Sequence, residues 1–131
     1  MSGMVVIDTS IWVDHLYAVD KHLSELLDTN RVLIHPFVVG ELACGYLASR
    51  SRTLDALCKL PQIGIADPSE VLFTIEKHKL MGRGIGYVDM HLLASVLLDG
   101  SSLWSRDKRL VKVAADIKMA HTPPPGAGLS S

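Results

Sequence analysis

Residues Met4–Leu16 read M-V-V-I-D-T-S-I-W-V-D-H-L. An apolar, β-branched run, Val5 to Ile7, stops at Asp8, and Thr9 and Ser10 then offer side-chain oxygens where a new periodic segment, Ile11 to Leu16, begins. The pattern predicts a strand that delivers a carboxylate to a strand-to-helix turn. In open parallel sheets the carboxyl ends of strands border a crevice lined with helix N-termini, and ligands bind there. Asp8 is therefore read as the anchor of an acidic site completed from later parts of the chain.

Outward from this stretch, strand and helix patterns alternate. Lys21 to Leu27 reads as a short amphipathic helix ending in Asp28-Thr29-Asn30, and Arg31 to His35 as a second strand. Pro36 breaks that strand and suits the first turn of a helix from Phe37 to Ala48. Thr53 to Leu60 reads as a further helix with Leu54, Leu57, Cys58 and Leu60 facing inward, and Ile63-Gly64-Ile65 as a short strand. Asp67-Pro68-Ser69-Glu70 has the residues of a capping box, opening a helix to about Leu80. A glycine-rich loop, Met81 to Gly86, precedes a helix from Tyr87 to Leu98. Leu103 to Ser105 reads as a strand, Asp107 to Ala115 as a helix and Ile117 to Ala120 as an edge strand. Residues 1–121 are read as one domain and 122–131 as a Pro/Gly-rich C-terminal tail.

At 131 residues and 48% hydrophobic, the chain can bury a sizeable core. So apolar a short chain suggests a permanent partner or a homodimer, and a small monomer with a helix-rich core fits the composition about equally well. The formal charge of −1 argues against bulk, charge-driven binding to nucleic acid or anionic membranes but leaves room for a narrow polyanion site. No apolar run reaches bilayer length and no secretory leader is recognisable, so a cytoplasmic location is expected. Cys44 and Cys58 lack metal-ligand spacing and are expected to be small buried thiols. Trp12 and Trp104 lie in apolar segments and are expected to pack in the core or an interface.

The chemistry resides in isolated acids. Asp8 is the only charged residue from Met1 to Val13, Glu41 the only one from Pro36 to Ser49, and Asp89 the only one from Gly84 to Leu98. At helical spacing Glu41 shares a face with Phe37, Val38 and Gly45, and Asp89 with Leu92, Leu93 and Val96. Ionised carboxylates on core-directed faces are costly, so they converge on a cation or find donors one by one. Asp107, in L-W-S-R-D-K-R-L, follows the Leu103–Ser105 strand and is the fourth candidate. The bland alternatives are a helix cap for Asp8, an exposed edge position or an arginine partner for Glu41 and Asp89, and an ordinary charged helix start for Asp107. An all-oxygen donor set specifies a hard cation, Mg²⁺ or Mn²⁺. Thr9, Ser10 and Ser105 are candidates for supporting the acids or positioning water. Lys79 and Arg83 beside the glycine loop, and Arg106, Lys108 and Arg109 near Asp107, are basic side chains able to position phosphates, with solvated surface charge as the bland alternative. His91 is read as structural, since it has no ligand spacing.

Four segments, V-I-D-T-S-I-W-V-D-H, H-P-F-V-V-G-E-L-A-C-G, G-I-G-Y-V-D-M-H-L-L-A-S and L-W-S-R-D-K-R-L, occur in the order found in PIN-domain ribonucleases. The chain resembles that family, and closely its VapC-type toxins, from Val5 to about Ala120. The resemblance maps the family's acidic quartet onto Asp8, Glu41, Asp89 and Asp107. It implies a three-layer α/β/α fold with a short, mostly parallel central sheet. The implied activity is that of a Mg²⁺-dependent endoribonuclease, the toxin of a type II toxin–antitoxin pair, usually dimeric and restrained by a cognate antitoxin protein. A catalytically idle PIN domain that binds RNA or antitoxin is the main alternative. A receiver-like phosphoacceptor domain fits less well, because it wants a second acid beside Asp8, where Ile7 stands. A haloacid-dehalogenase-like phosphatase wants an aspartate where Ser10 stands.

Overall fold

A computed structural model describes residues 3–125. Three parallel strands, β1 (Val5–Ile7), β2 (Val32–Leu33) and β3 (Ser102–Trp104), form a sheet in the order β2-β1-β3. Val5 and Val6 pair with Val32 and Leu33 on one side, and Val5, Val6 and Ile7 pair with Ser102, Leu103 and Trp104 on the other. All three residues of β1 are fully buried. Such burial requires helices on both faces of the sheet, which is the three-layer α/β/α arrangement.

Seven helices among the described residues supply the covers: α1 (Thr9–Tyr17), α2 (Lys21–Asp28), α3 (Pro36–Ala43), α4 (Arg50–Cys58), α5 (Pro68–His78), α6 (Tyr87–Asp99) and α7 (Lys108–Asp116). Helix α6 is buried without interruption from Met90 to Val96, as a helix enclosed by β3 and α5 must be. Helix α7 buries Leu110, Val113 and Ala114 at helical spacing and turns its charges outward. The capping box of α5 forms as its residues require: the Glu70 N–H donates to Asp67 Oδ1 and the Asp67 N–H to Glu70 Oε1, both at 2.8 Å. Trp12 and Trp104 are buried.

Several boundaries differ from expectation. The α3 pattern stops at Ala43 rather than Ala48, because the Arg50 guanidinium reaches back to the carbonyls of Ala43 and Gly45, at 2.6 and 3.0 Å, and terminates the helix. Helix α4 starts at Arg50, three residues before the expected Thr53, and of its expected inward residues only Leu57 is buried. Cys58 and Cys44 are exposed free thiols, not buried ones: Cys58 lies on the outer side of α4 and Cys44 at the C-terminal end of α3. The expected strands at Ile63–Ile65 and Ile117–Ala120 shrink to single parallel bridges, Ile34 with Gln62 and Leu103 with Ala120, one at each edge of the sheet. His121 is anchored by its N–H on the Leu103 carbonyl and by its ring on His22. Of the expected tail, 122–125 carry no helix or strand and 126–131 lie outside the described residues.

The chain passes from β1 to β2 on one side and later returns to β3 on the other, so its direction of winding reverses between β1 and β3. The crevice beyond the carboxyl ends of those two strands is the switch point at which such sheets bind ligands.

Ile11, fully buried at the start of α1, and Leu72, 59% exposed on α5, provide a test of this burial. Ile11→Ala should cost about 3 kcal/mol in a urea unfolding titration, whereas Leu72→Ala should change stability by less than about 0.5 kcal/mol.

Candidate active site

Asp8 follows β1 directly, and its N–H donates to the Trp104 carbonyl at the end of β3, which fixes it at the crevice. It occupies the N-cap position of α1, but its side chain makes no capping hydrogen bond. Its Oδ2 instead accepts two hydroxyls, Ser105 at 2.7 Å and Ser10 at 2.9 Å, while Asp8 itself is only 6% exposed. Oδ1 accepts no hydrogen bond among the described residues. The carboxylate is thus oriented by neutral donors, with no arginine or lysine paired to it among the described residues.

Glu41 is carried on α3 and is exposed, a correction to the core-directed face inferred from helical spacing. The neighbours of that face, Val38 and Leu42, are buried while Glu41 stands at its rim. Thr9 Oγ1 donates to Glu41 Oε1 at 2.7 Å, joining the start of α1 to α3. Asp89 sits in the first turn of α6, close to the N-cap residue Gly86, whose backbone favours the ionised carboxylate. Asp107 caps α7, accepting from the N–H groups of Arg109 and Leu110 at 3.0 and 3.1 Å; the expected ordinary role for this acid is real.

Electrostatics tie the four together. Burial pushes the Asp89 carboxyl up to about 6, and the negative charge of Asp8 adds to the rise, followed by smaller contributions from Asp107 and Glu41. Asp8, Glu41 and Asp107, distant from it in sequence, therefore all lie within electrostatic reach of Asp89. Among the described residues no three of them are drawn together as a closed ligand cage. Their like charges oppose closer approach. The donor set nevertheless fits a hard divalent cation: every side chain is a carboxylate or hydroxyl, one Asp8 oxygen is uncommitted, and no basic side chain among the described residues neutralises the group.

The chain matches the model of the PIN domain over residues 5–116. The chain belongs to the PIN-domain family. It is 43% identical over 118 residues to Ribonuclease VapC32 of Mycobacterium tuberculosis, in both strain CDC 1551 / Oshkosh and strain ATCC 25618 / H37Rv; the match spans 89% of this chain and 95% of the relative. The crystal structure of PAE2754 from Pyrobaculum aerophilum shares the PIN-domain protein's fold, with a TM-score of 0.64 over 92% of this chain and 90% of that one, at 19% identity.

The basic candidates divide. The Arg106 guanidinium forks between Asp14 at 2.6 Å and Asp20 at 2.5 Å and lies over the Trp104 ring. Arg83 pairs with Asp116 at 2.6 Å. Lys79, Lys108 and Arg109 are exposed and form no ion pair among the described residues. His91 is buried between the rings of Phe37 and Tyr87, as a structural histidine would be. Sequence reasoning missed Asp20, which caps α2 through the Leu23 N–H and receives Arg106; an aspartate immediately before an amphipathic segment was the available signal. It also missed the His22–His121 contact, where the two Nε2 atoms lie 2.8 Å apart, for which no sequence signal existed.

Asp89 has its folded-state pKa raised from 3.8 to about 6, so its ionisation opposes folding at neutral pH, and the penalty disappears as pH falls to about 4. In divalent-free buffer at pH 7, Asp89→Asn should stabilise the protein by about 1 kcal/mol, after allowing for solvent screening. Thermal melts of the two proteins should converge near pH 4.

Proposed function

We propose that this PIN-domain protein is a Mg²⁺-dependent endoribonuclease, the toxin of a type II toxin–antitoxin pair, acting in the cytoplasm. The observation that supports the reading is the Asp89 carboxyl, raised to about 6 by burial and by the negative charges of Asp8, Asp107 and Glu41, with Asp8 at the end of β1 paired to no basic side chain among the described residues. The 43% identity to a protein named as a ribonuclease supports it.

Asp8 and Asp89 are the residues that would hold the ion, with Glu41 and Asp107 completing the oxygen set. When bound, Mg²⁺ (or Mn²⁺) supplies positive charge for the phosphodiester oxygens and lowers the pKa of a water into the nucleophilic range. The protein's own part is orientation. Ser10 and Ser105 lock the Asp8 carboxylate in one rotation by filling Oδ2. Thr9 does the same for Glu41. Asp107 keeps its place because two backbone N–H groups hold Oδ1. Asp89 is the acid with the proton affinity to exchange a proton near neutral pH, and it must be ionised to act as a ligand.

The exposed apolar side chains Val13, Leu16 and Tyr17 on α1 and Tyr46 beyond α3 form a surface suited to a protein partner. In this reading the antitoxin, or a second copy of the chain in a homodimer, covers apolar surface of this kind. Among the described residues no helix is long and apolar enough to cross a membrane.

Purified protein incubated with total RNA should release defined fragments with Mg²⁺ present and none after chelation. Asp8→Asn and Asp89→Asn should each reduce cleavage at least about 100-fold with folding retained by circular dichroism, and both should weaken Mg²⁺ binding in calorimetry. Ser105→Ala should cost about 10-fold, since it loosens a ligand without removing it. Undiminished cleavage by Asp89→Asn would remove that residue from the site.

A further inference from the structure

Four carboxylates at one crevice repel a phosphodiester, so a substrate that carries one charge per nucleotide needs a cation placed beside them. The basic residues nearest to the acids in sequence are mostly committed elsewhere. Arg106 is held by Asp14 and Asp20, and Arg83 by Asp116. Neither Lys79 nor Lys108 has its ammonium group fixed by a hydrogen bond or ion pair among the described residues. Arg109 differs from all of them.

The Arg109 side chain lies against the glycine loop. A Cβ built on Gly84 would stand 2.9 Å from Arg109 Cδ, 3.0 Å from Nη1 and 3.2 Å from Nε. Gly84 also has φ +80°, in the left-handed region that favours glycine, so the backbone selects glycine here, and a Cβ would displace the movable end of the Arg109 side chain. Both ends of this contact lead to site acids. Gly86, two residues beyond Gly84, is the N-cap of the helix that carries Asp89, and the N–H of Arg109 donates to Asp107 Oδ1 at 3.0 Å. The guanidinium is thus positioned between the loop that starts α6 and the cap that starts α7. It has no carboxylate partner among the described residues.

We propose that Arg109, seated on Gly84, is the phosphate-binding arginine of this site: its planar fork takes the non-bridging oxygens of an RNA phosphate at the acidic crevice. The inference rests on the ribonuclease reading for its substrate class. The planar guanidinium matches two phosphate oxygens at once and loses less conformational freedom per hydrogen bond formed than a lysine does. Gly84 acts as a positioning residue, since any side chain there pushes the guanidinium off its seat.

Two measurements test this. In the first, kcat and KM for RNA cleavage are compared for the wild type, Arg109→Ala, Arg109→Lys, Gly84→Ala and the double variant, with Lys112→Ala as a charge control on the same helix. Arg109→Ala should lower kcat/KM about 30-fold, and Arg109→Lys should recover only part of it. Gly84→Ala should lower it in the same direction, with little further loss when the two changes are combined. Lys112→Ala should leave the values unchanged. In the second, RNA binding to Asp8→Asn protein is followed by fluorescence anisotropy against salt without divalent ions. Adding Arg109→Ala should reduce the slope of log K on log salt by about 1, a change that a purely structural role would not produce. Wild-type cleavage with unchanged kcat/KM and an unchanged salt slope in Arg109→Ala would overturn the inference. If the wild type cleaves no RNA, the ribonuclease reading is what fails, and the salt slope alone decides whether Arg109 meets phosphate.

Discussion

The structure depends on a buried carboxylate held by two hydroxyls. Asp8 is nearly inaccessible, yet Ser10 and Ser105 are neutral and leave its charge intact. An arginine in either place would have made an inert ion pair. Hydroxyl donors satisfy hydrogen bonding without supplying the positive charge, so burial of Asp89 raises its proton affinity and the negative field of Asp8 adds to the rise. The architecture follows from this need. Placing Asp8 at the crevice requires β1 in the middle of the sheet, and placing Ser105 beside it requires β3 as the parallel neighbour.

Much of this was legible in the chain because it is written locally. An apolar run broken by Asp8, and Asp67 followed by Pro68 and Glu70, each state their structure within a few residues, and the strand and the capping box form where those residues stand. Asp8, Glu41 and Asp89 stood out because each lies in an apolar segment without charged neighbours, whereas Asp107 stands among Arg106, Lys108 and Arg109. Burial was harder to read. Helical spacing assigns a residue to a face but not to the depth of that face, so Glu41 and Cys58, both aligned with buried neighbours, are exposed at the margin. The end of α3 depended on Arg50, whose reach to the Ala43 and Gly45 carbonyls no propensity scale records.

Long-range pairing was the least legible. Arg106 stands in a basic cluster and looks like a free phosphate contact, but its partners, Asp14 and Asp20, lie 92 and 86 residues away. The roles of neighbouring cations are therefore separated only in three dimensions: one arginine staples α1 to the start of α2, another ties the glycine loop to the end of α7, and a third rests on Gly84. Family resemblance does not resolve this. A fold shared at 19% identity carries the sheet and its crevice, whereas the side-chain pairings belong to this chain.

The hydroxyl of Ser105 meets Asp8 across 97 positions of sequence. During synthesis the first acid emerges early and β1 has only one of its two neighbours until β3 leaves the ribosome. A growing chain, or one truncated before Ser105, has neither the orienting hydroxyl nor Asp107. The crevice between β1 and β3 is consequently completed long after Asp8 itself has been synthesised, so the order of the elements along the chain separates the making of the first acid from its final orientation.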